Sequence, residues 1–304
     1  MKSKLFLATV CCAVLALSTR SRVWGQPGSP AQQLAAHTTE FERGVVKVTD
    51  GVHVAIGFGL ANSILIEGDD GVIVVDTTDS ARSAAAVKAQ FDRITNKPVR
   101  AIIYTHNHYD HIQGAAAFAG EQRPDVYAHE STMRIIEHSL QVMQRANRAR
   151  SIRQFRVPLR GDEFLNAGIG PRLNVDLAGG TSFLPPNKLV RKDRLRVEVA
   201  GVQLELVAAP GEPHDQIYVW LPEKKVLLPG DNFYKAFPNL YAIRGTRFRD
   251  PSLWVASLDM MIAEEPEFLV PSHTRPLSGR ETVRKGLSKF VTVSDPCWIR
   301  PLKA

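Results

Sequence analysis

Three imidazoles and one carboxylate fall within six positions of the segment Thr105-His106-Asn107-His108-Tyr109-Asp110-His111. Alternate residues of an extended turn point the same way. His106 and His108 can therefore grip one ion, while Asp110 and His111 diverge toward a second. Zinc favours nitrogen and oxygen donors of this kind, although iron and manganese use them too. A polar surface loop that happens to hold three histidines is the ordinary alternative, and we set it aside.

Four ligands do not complete a two-metal site, and hydrolytic chemistry also needs an open position for water. Of the nine histidines, His37 and His53 precede the expected core, while His129 and His138 sit at a strand end and on a helix, where structural roles suffice. Glu212, His214, Asp231 and His273 remain. Each follows an apolar strand: Leu204 to Ala208 leads into Pro210-Gly211-Glu212, Val226 to Leu228 into Pro229-Gly230-Asp231, and Phe268 to Val270 into Pro271-Ser272-His273. Three such strand ends beside the one bearing the histidine cluster would build a site at one edge of a sandwich. His214 is either an alternative ligand close to Glu212 or a group in the outer layer of the site. No Gly-x-Ser-x-Gly elbow occurs and Cys297 lies near the end of the chain, so a metal-activated water is the default nucleophile.

The elements that must position these residues are legible in the pattern. Val45 to Val48, Val52 to Phe58, Asn62 to Glu67 and Val72 to Asp76 read as strands, with Asp69-Asp70-Gly71 as a hairpin turn. Ser80 opens a helix to about Arg93. Val99 to Tyr104 is a buried strand that ends at the cluster. A second β block covers Leu195 to Ala208, Gln216 to Trp220 and Val226 to Pro229. Two β-rich blocks bracketed by helices predict two packed sheets with helices outside. Glu130 to Arg150, with Met133, Ile136, Leu140, Met143 and Ala146 at helical spacing, predicts one core-facing amphipathic helix. Arg160 to Asn187 is rich in Gly and Pro and reads as a long lid or a disordered insertion.

Composition bounds the rest. The 304 residues, 44% hydrophobic, suffice for one large α/β domain. Residues 1–25 read as a signal peptide: Lys2 and Lys4, an apolar run from Leu5 to Leu17, then small residues, too short for a stable membrane span. Lys2, Lys4, Arg20 and Arg22 belong to it, so the formal charge of +7 falls to 34 − 31 = +3 beyond it. That mild excess argues against a nucleic-acid partner. Cys11 and Cys12 also lie in the leader, which excludes a disulfide scaffold. The expected organisation is a secreted or periplasmic chain with a flexible lead-in at 26–42, a catalytic domain at 43–285 and an irregular tail at 286–304.

The His-x-His-x-Asp-His cluster, the turn Gly230-Asp231 and the late His273 resemble the metallo-β-lactamase superfamily in order and spacing, over about residues 45 to 280. The resemblance implies a four-layer αβ/βα sandwich, two Zn2+ per chain, and Asp76 as an aspartate that orients the ligands. Most members have histidine where this chain has Glu212. The alkylsulfatase branch has a carboxylate there for the first zinc and a second one, usually Glu, as the bridge. Glu212 and Asp231 stand in those places, with Asp at the bridge. Asn239 and Arg244 resemble the pair that holds the sulfate in that branch, and Arg249-Asp250 and Trp254 to Met260 resemble it as well.

The implied set is therefore His106, His108, Asp110, His111, Glu212, Asp231 and His273 on the metals, with Asp110, Asn239 and Arg244 in catalysis and Asp76 and His214 behind them. Two metals sharing a carboxylate lower the pKa of a water, and a guanidinium offers two parallel hydrogen bonds to a tetrahedral oxyanion. The implied substrate is a small amphipathic sulfate ester, cleaved at S–O or C–O. Branch members continue into a helical dimerisation domain and a lipid-carrier-like domain that this chain lacks, which points to a shortened chain. Hydrolysis of a lactam, lactone or thioester, or an inactive secreted metal-binding protein, are the other expectations.

Overall fold

Runs of β-branched residues at alternating or continuous apolar positions set the strands of two sheets. The computed structural model describes residues 28–156, 158–159, 163–174 and 182–294; the signal peptide expected at 1–25 lies outside them. One seven-stranded sheet holds β1 (Gly44–Thr49), β2 (Val52–Ile56), β3 (Ser63–Glu67), β4 (Val72–Val75), β5 (Val99–Ile103), β6 (Asp125–His129) and β7 (Lys188–Val190), in that order. Its first four strands form an antiparallel meander and the last four run parallel. The second sheet has the order β13 (Leu277–Ser278), β12 (Phe268–Leu269), β11 (Val226–Leu228), β10 (Ile217–Leu221), β9 (Val202–Ala208) and β8 (Arg194–Val199).

Side-chain alternation sends one set of residues from each sheet into a shared core. Val54, Ile64, Ile73 and Ile103 of the first sheet meet Leu206, Val219 and Leu228 of the second. The opposite faces are covered by helices. Val87 and Phe91 of α2 (Ala81–Phe91) and Phe118 of α4 (Ala115–Ala119) pack on Leu65, Val74 and Ile102. Trp254 and Leu258 of α7 (Pro251–Ala263), with Leu287 and Phe290 of α8 (Arg280–Ser294), pack on Tyr218, Trp220 and Leu227. This is the expected four-layer sandwich. Helix starts follow capping rules: Ser80 accepts from Ser83 N, and Asp250 accepts from Ser252 N with Pro251 next in line.

Some expectations are corrected. The block Leu195 to Ala208 is two strands, joined at Ala200-Gly201, where both residues have positive φ as a type I′ turn demands. The lead-in is ordered from Pro30: Ser29 caps α1 (Pro30–His37) through a complete capping box, and Phe41 is buried behind it. The single helix expected over Glu130 to Arg150 is two, α5 (Thr132–Gln141) and α6 (Gln144–Gln154), and Leu140 and Val142 are exposed, not core-facing. The irregular tail expected from 286 is helical as far as Ser294, because Leu287, Phe290 and Val291 extend the buried stripe of α8. Of the long loop at 160–187, the described parts are tied down: Asn166 Nδ2 donates to Leu34 O, and Phe183 stacks on Tyr104.

Candidate metal centre

Strand ends on one edge of the sandwich deliver every clustered side chain. β5 runs into Thr105 and His106, and His108 stands at the start of the short helix α3 (Tyr109–Ile112), whose first turn carries Asp110 and His111. β9 leads to Glu212, β11 to Asp231 in the 3-10 turn Gly230–Asn232, and β12 to His273. Glycine is required at Gly230: its φ is +57°, and a β-carbon there would meet Gln216 Nε2 at 2.0 Å.

These residues form two groups of converging ligand atoms: His106, His108, Glu212 and Asp231 in one, Asp110, His111 and His273 in the other. Asp231 joins them. Its Oδ2 lies 3.6 Å from His106 Nε2 and 4.0 Å from His108 Nδ1, while Oδ1 lies 3.4 Å from His111 Nε2 and 3.3 Å from His273 Nε2. Glu212 Oε2 is 3.4 Å from His108 Nδ1, and Asp110 Oδ2 is 3.5 Å from both His111 and His273. The separation of His106 and His108 from Asp110 and His111 is the one expected from the spacing.

The arrangement fits metal ions. His106 Nε2, His111 Nε2, His273 Nε2, Glu212 Oε2 and Asp231 Oδ1 are buried without a hydrogen-bond partner, a costly state unless a cation completes it. The other ring nitrogens are engaged: His106 Nδ1 with Thr105 Oγ1, His111 Nδ1 with Asp76 Oδ2 at 2.7 Å, and His273 Nδ1 with the carbonyls of Leu60 and Ile169. Such partners fix which nitrogen is offered inward.

The electrostatics agree. Burial alone would lower His111 and His273 and raise Asp231 and Asp110, yet mutual attraction wins: the two histidines are pushed up, Asp231 well down, and Asp110 to about 2. Burial, aided by the His111 charge, brings His106 down to about 3. Burial lifts Glu212 to about 7 against the pull of Arg249. Protons on His111 and His273 thus stand where cations would, and metal loading releases them.

Asp76 stands directly behind the cluster. It closes β4 in the left-handed region at φ +56°. There its carboxylate accepts from Thr105 N, Thr105 Oγ1 and Ser272 Oγ and pairs with His111 Nδ1. We expect Asp76→Ala to weaken metal binding by about 10- to 100-fold, measured by competition with a chelating dye. An unchanged affinity would remove the residue from this role.

The remaining sequence candidates divide. Arg244 reaches the centre: its guanidinium NH2 lies 3.1 Å from His108 Nε2, and burial lowers its pKa. It is no solvated turn arginine. Asn239 also reaches it, donating Nδ2–H to Glu212 Oε1 at 3.2 Å. His214 does not; its side chain is exposed and outside both groups, because the chain turns Asp215 inward instead.

Sequence reasoning gave no role to Arg249 or Asp215. Arg249 is buried and pairs with Glu212 Oε1 and with the Asn239 carbonyl. Asp215 is fully buried, accepting from Asn107 Nδ2 at 2.9 Å and Thr132 Oγ1 at 2.7 Å. It thereby ties the histidine loop to α5. Its position in the Pro210 to Gln216 turn, beside the apolar β10, was the only available signal.

Burial raises Asp215 from 3.8 to about 6. The folded state therefore holds a proton that the unfolded state has lost between those values, and stability falls as pH rises through that window, by up to about 3 kcal/mol. Asp215→Asn should abolish this part of the pH dependence, visible in urea unfolding at pH 4 and pH 7. An unaltered slope would show that Asp215 titrates normally.

A sandwich with this site defines the metallo-beta-lactamase superfamily, whose family model matches residues 56–273, and the chain belongs to it. Among its relatives, a linear primary-alkylsulfatase from Pseudomonas sp. is 36% identical over 231 residues, covering 73% of this chain and 43% of the relative. An (R)-specific secondary-alkylsulfatase from Pseudomonas sp. is 28% identical over 257 residues, covering 81% and 38%. The solved structure of the stereoselective inverting sec-alkylsulfatase Pisa1 from Pseudomonas sp. superposes with a TM-score of 0.76 at 26% identity, covering 82% of this chain and 41% of that one. The chain spans about two fifths of the length of these relatives.

Proposed function

We propose that this chain is a metal-dependent hydrolase of alkyl sulfate esters that works with two zinc ions. The observation that carries the reading is the half-buried Arg244 guanidinium at the edge of the centre, beside His108. It is joined by the similarity to alkylsulfatases. His106, His108 and Glu212 would hold one ion and Asp110, His111 and His273 the other, with one oxygen of Asp231 for each. Ions bound there supply Lewis acidity, making a water nucleophilic near neutral pH and shielding the charge of the ester.

The chain's own groups do the rest. Arg244 offers two parallel N–H donors to the sulfate oxygens. Asn239 keeps one amide N–H beyond its bond to Glu212 and shares that anion. An imidazole that gives its Nδ1 lone pair to a metal carries its proton on Nε2. A metal held through His108 Nδ1 would leave the Nε2 proton facing Arg244, whose guanidinium would then be available to substrate. Arg249 holds Glu212 Oε1, leaving Oε2 for the metal.

The test is a substrate panel on the zinc-loaded full-length chain. Dodecyl sulfate should be hydrolysed, with two zinc ions found per chain by metal analysis. Turnover of a β-lactam, lactone or thioester in its place would overturn the sulfatase reading, and a loaded protein inert toward all of them would mark an inactive metal binder. We further propose that residues 1–25 direct export. N-terminal sequencing of protein from the producing cells should begin near Gln26.

A further inference from the structure

Two segments at the mouth of the centre combine features that the hydrolytic site does not use. No acidic residue occurs between Glu137 and Asp162, or between Asp231 and Asp250. In the first, Arg145, Arg148, Arg150, Arg153 and Arg156 of α6 and its end are exposed, and none is paired with a carboxylate among the described residues. In the second, Phe237, Tyr241 and Phe248 are 73%, 80% and 75% exposed, with Ile243 and Arg247 also at the surface.

The segments touch. Arg244 N donates to Gln154 Oε1 at 2.9 Å, a β-carbon on Gly245 would meet Arg150 NH1 at 2.5 Å, and the Arg244 guanidinium lies over Phe155. Exposed Leu140, Val142 and Ile152 lie on the same helical pair.

Large aromatics exposed along one short segment point to a binding surface. Aromatic and aliphatic groups interleaved with unpaired arginines match an interface whose outer layer is anionic and whose inner layer is apolar. An acidic protein would satisfy the arginines but not three exposed rings. We infer that this face docks the chain onto the surface of an anionic lipid bilayer, with the metal centre turned toward it. Among the described residues no helix is long and apolar enough to cross a bilayer. The inference stands independently of which ester the centre cleaves.

Co-sedimentation of the full chain with vesicles tests it. Vesicles of phosphatidylglycerol and phosphatidylcholine should bind the protein, pure phosphatidylcholine vesicles should not, and binding should fall steeply with salt. Each arginine near an anionic surface contributes roughly fivefold, so replacing Arg145, Arg148 and Arg153 together by Glu should weaken binding by about a hundredfold or more. The matched Lys triple should retain it, and near-UV circular dichroism reports the fold of each. Tyr241→Ser with Phe248→Ser should weaken binding while leaving its salt dependence in place. Equal binding to both vesicle types, insensitivity to the Glu triple, or a dimer in sedimentation velocity that the same substitutions dissolve would overturn the inference. So would binding of single-stranded RNA without binding of vesicles.

Discussion

Asp231→Ala is expected to leave at most one divalent ion per chain and to lower hydrolysis by on the order of a thousandfold or more, since losing a metal forfeits several kcal/mol of transition-state stabilisation. The size of the effect follows from the position of the carboxylate. Its Oδ2 faces His106 and His108, and its Oδ1 faces His111 and His273. Removing any other ligand strips one group, whereas removing Asp231 strips both. It also leaves His111 and His273 without the carboxylate that, after burial, does most to set their charge. Metal analysis and steady-state kinetics on the same preparation check the claim, and two retained ions with normal turnover would end the bridging assignment.

Arg244→Ala is expected to act differently. Metal content should be unchanged, because within the centre the guanidinium meets His108 at Nε2 and not at the Nδ1 that faces Glu212 and Asp231. Hydrolysis of dodecyl sulfate should fall by about 10² to 10³, the usual cost of losing one preorganised donor to an oxyanion. Arg244→Lys should recover part of the rate only, since an ammonium cannot reproduce the planar pair of donors. If the alanine variant raised KM and spared kcat, the residue would bind ground and transition states equally and the clamp would be a docking group. The two variants thus separate failure of the metal centre from failure of the proposed sulfate recognition.

Much of this site was legible in the chain because its chemistry is written locally. The cluster from His106 to His111, and acids or a histidine directly after strands at Glu212, Asp231 and His273, need only periodicity to be placed at one edge. What escaped depends on long-range packing. The inward turn of Asp215 and outward turn of His214 are decided by Thr132 and Asn107, more than 80 residues away in sequence. Arg249 was visible only as part of a resemblance, its pairing with Glu212 arising from how the 232–250 loop folds back. The break between α5 and α6 escaped too, since Leu140 keeps the helical period of Met133 and Ile136 while facing solvent.

Asp76 carries a consequence for when the protein can acquire metal. Its four partners come from Thr105 after β5, His111 on α3 and Ser272 after β12, so one carboxylate is shared between the two sheets. A chain whose halves have formed but not docked offers only half of each ligand set. Metal uptake would thereby be a checkpoint on assembly, and the rate of metal incorporation during refolding should follow docking of the sheets instead of their formation.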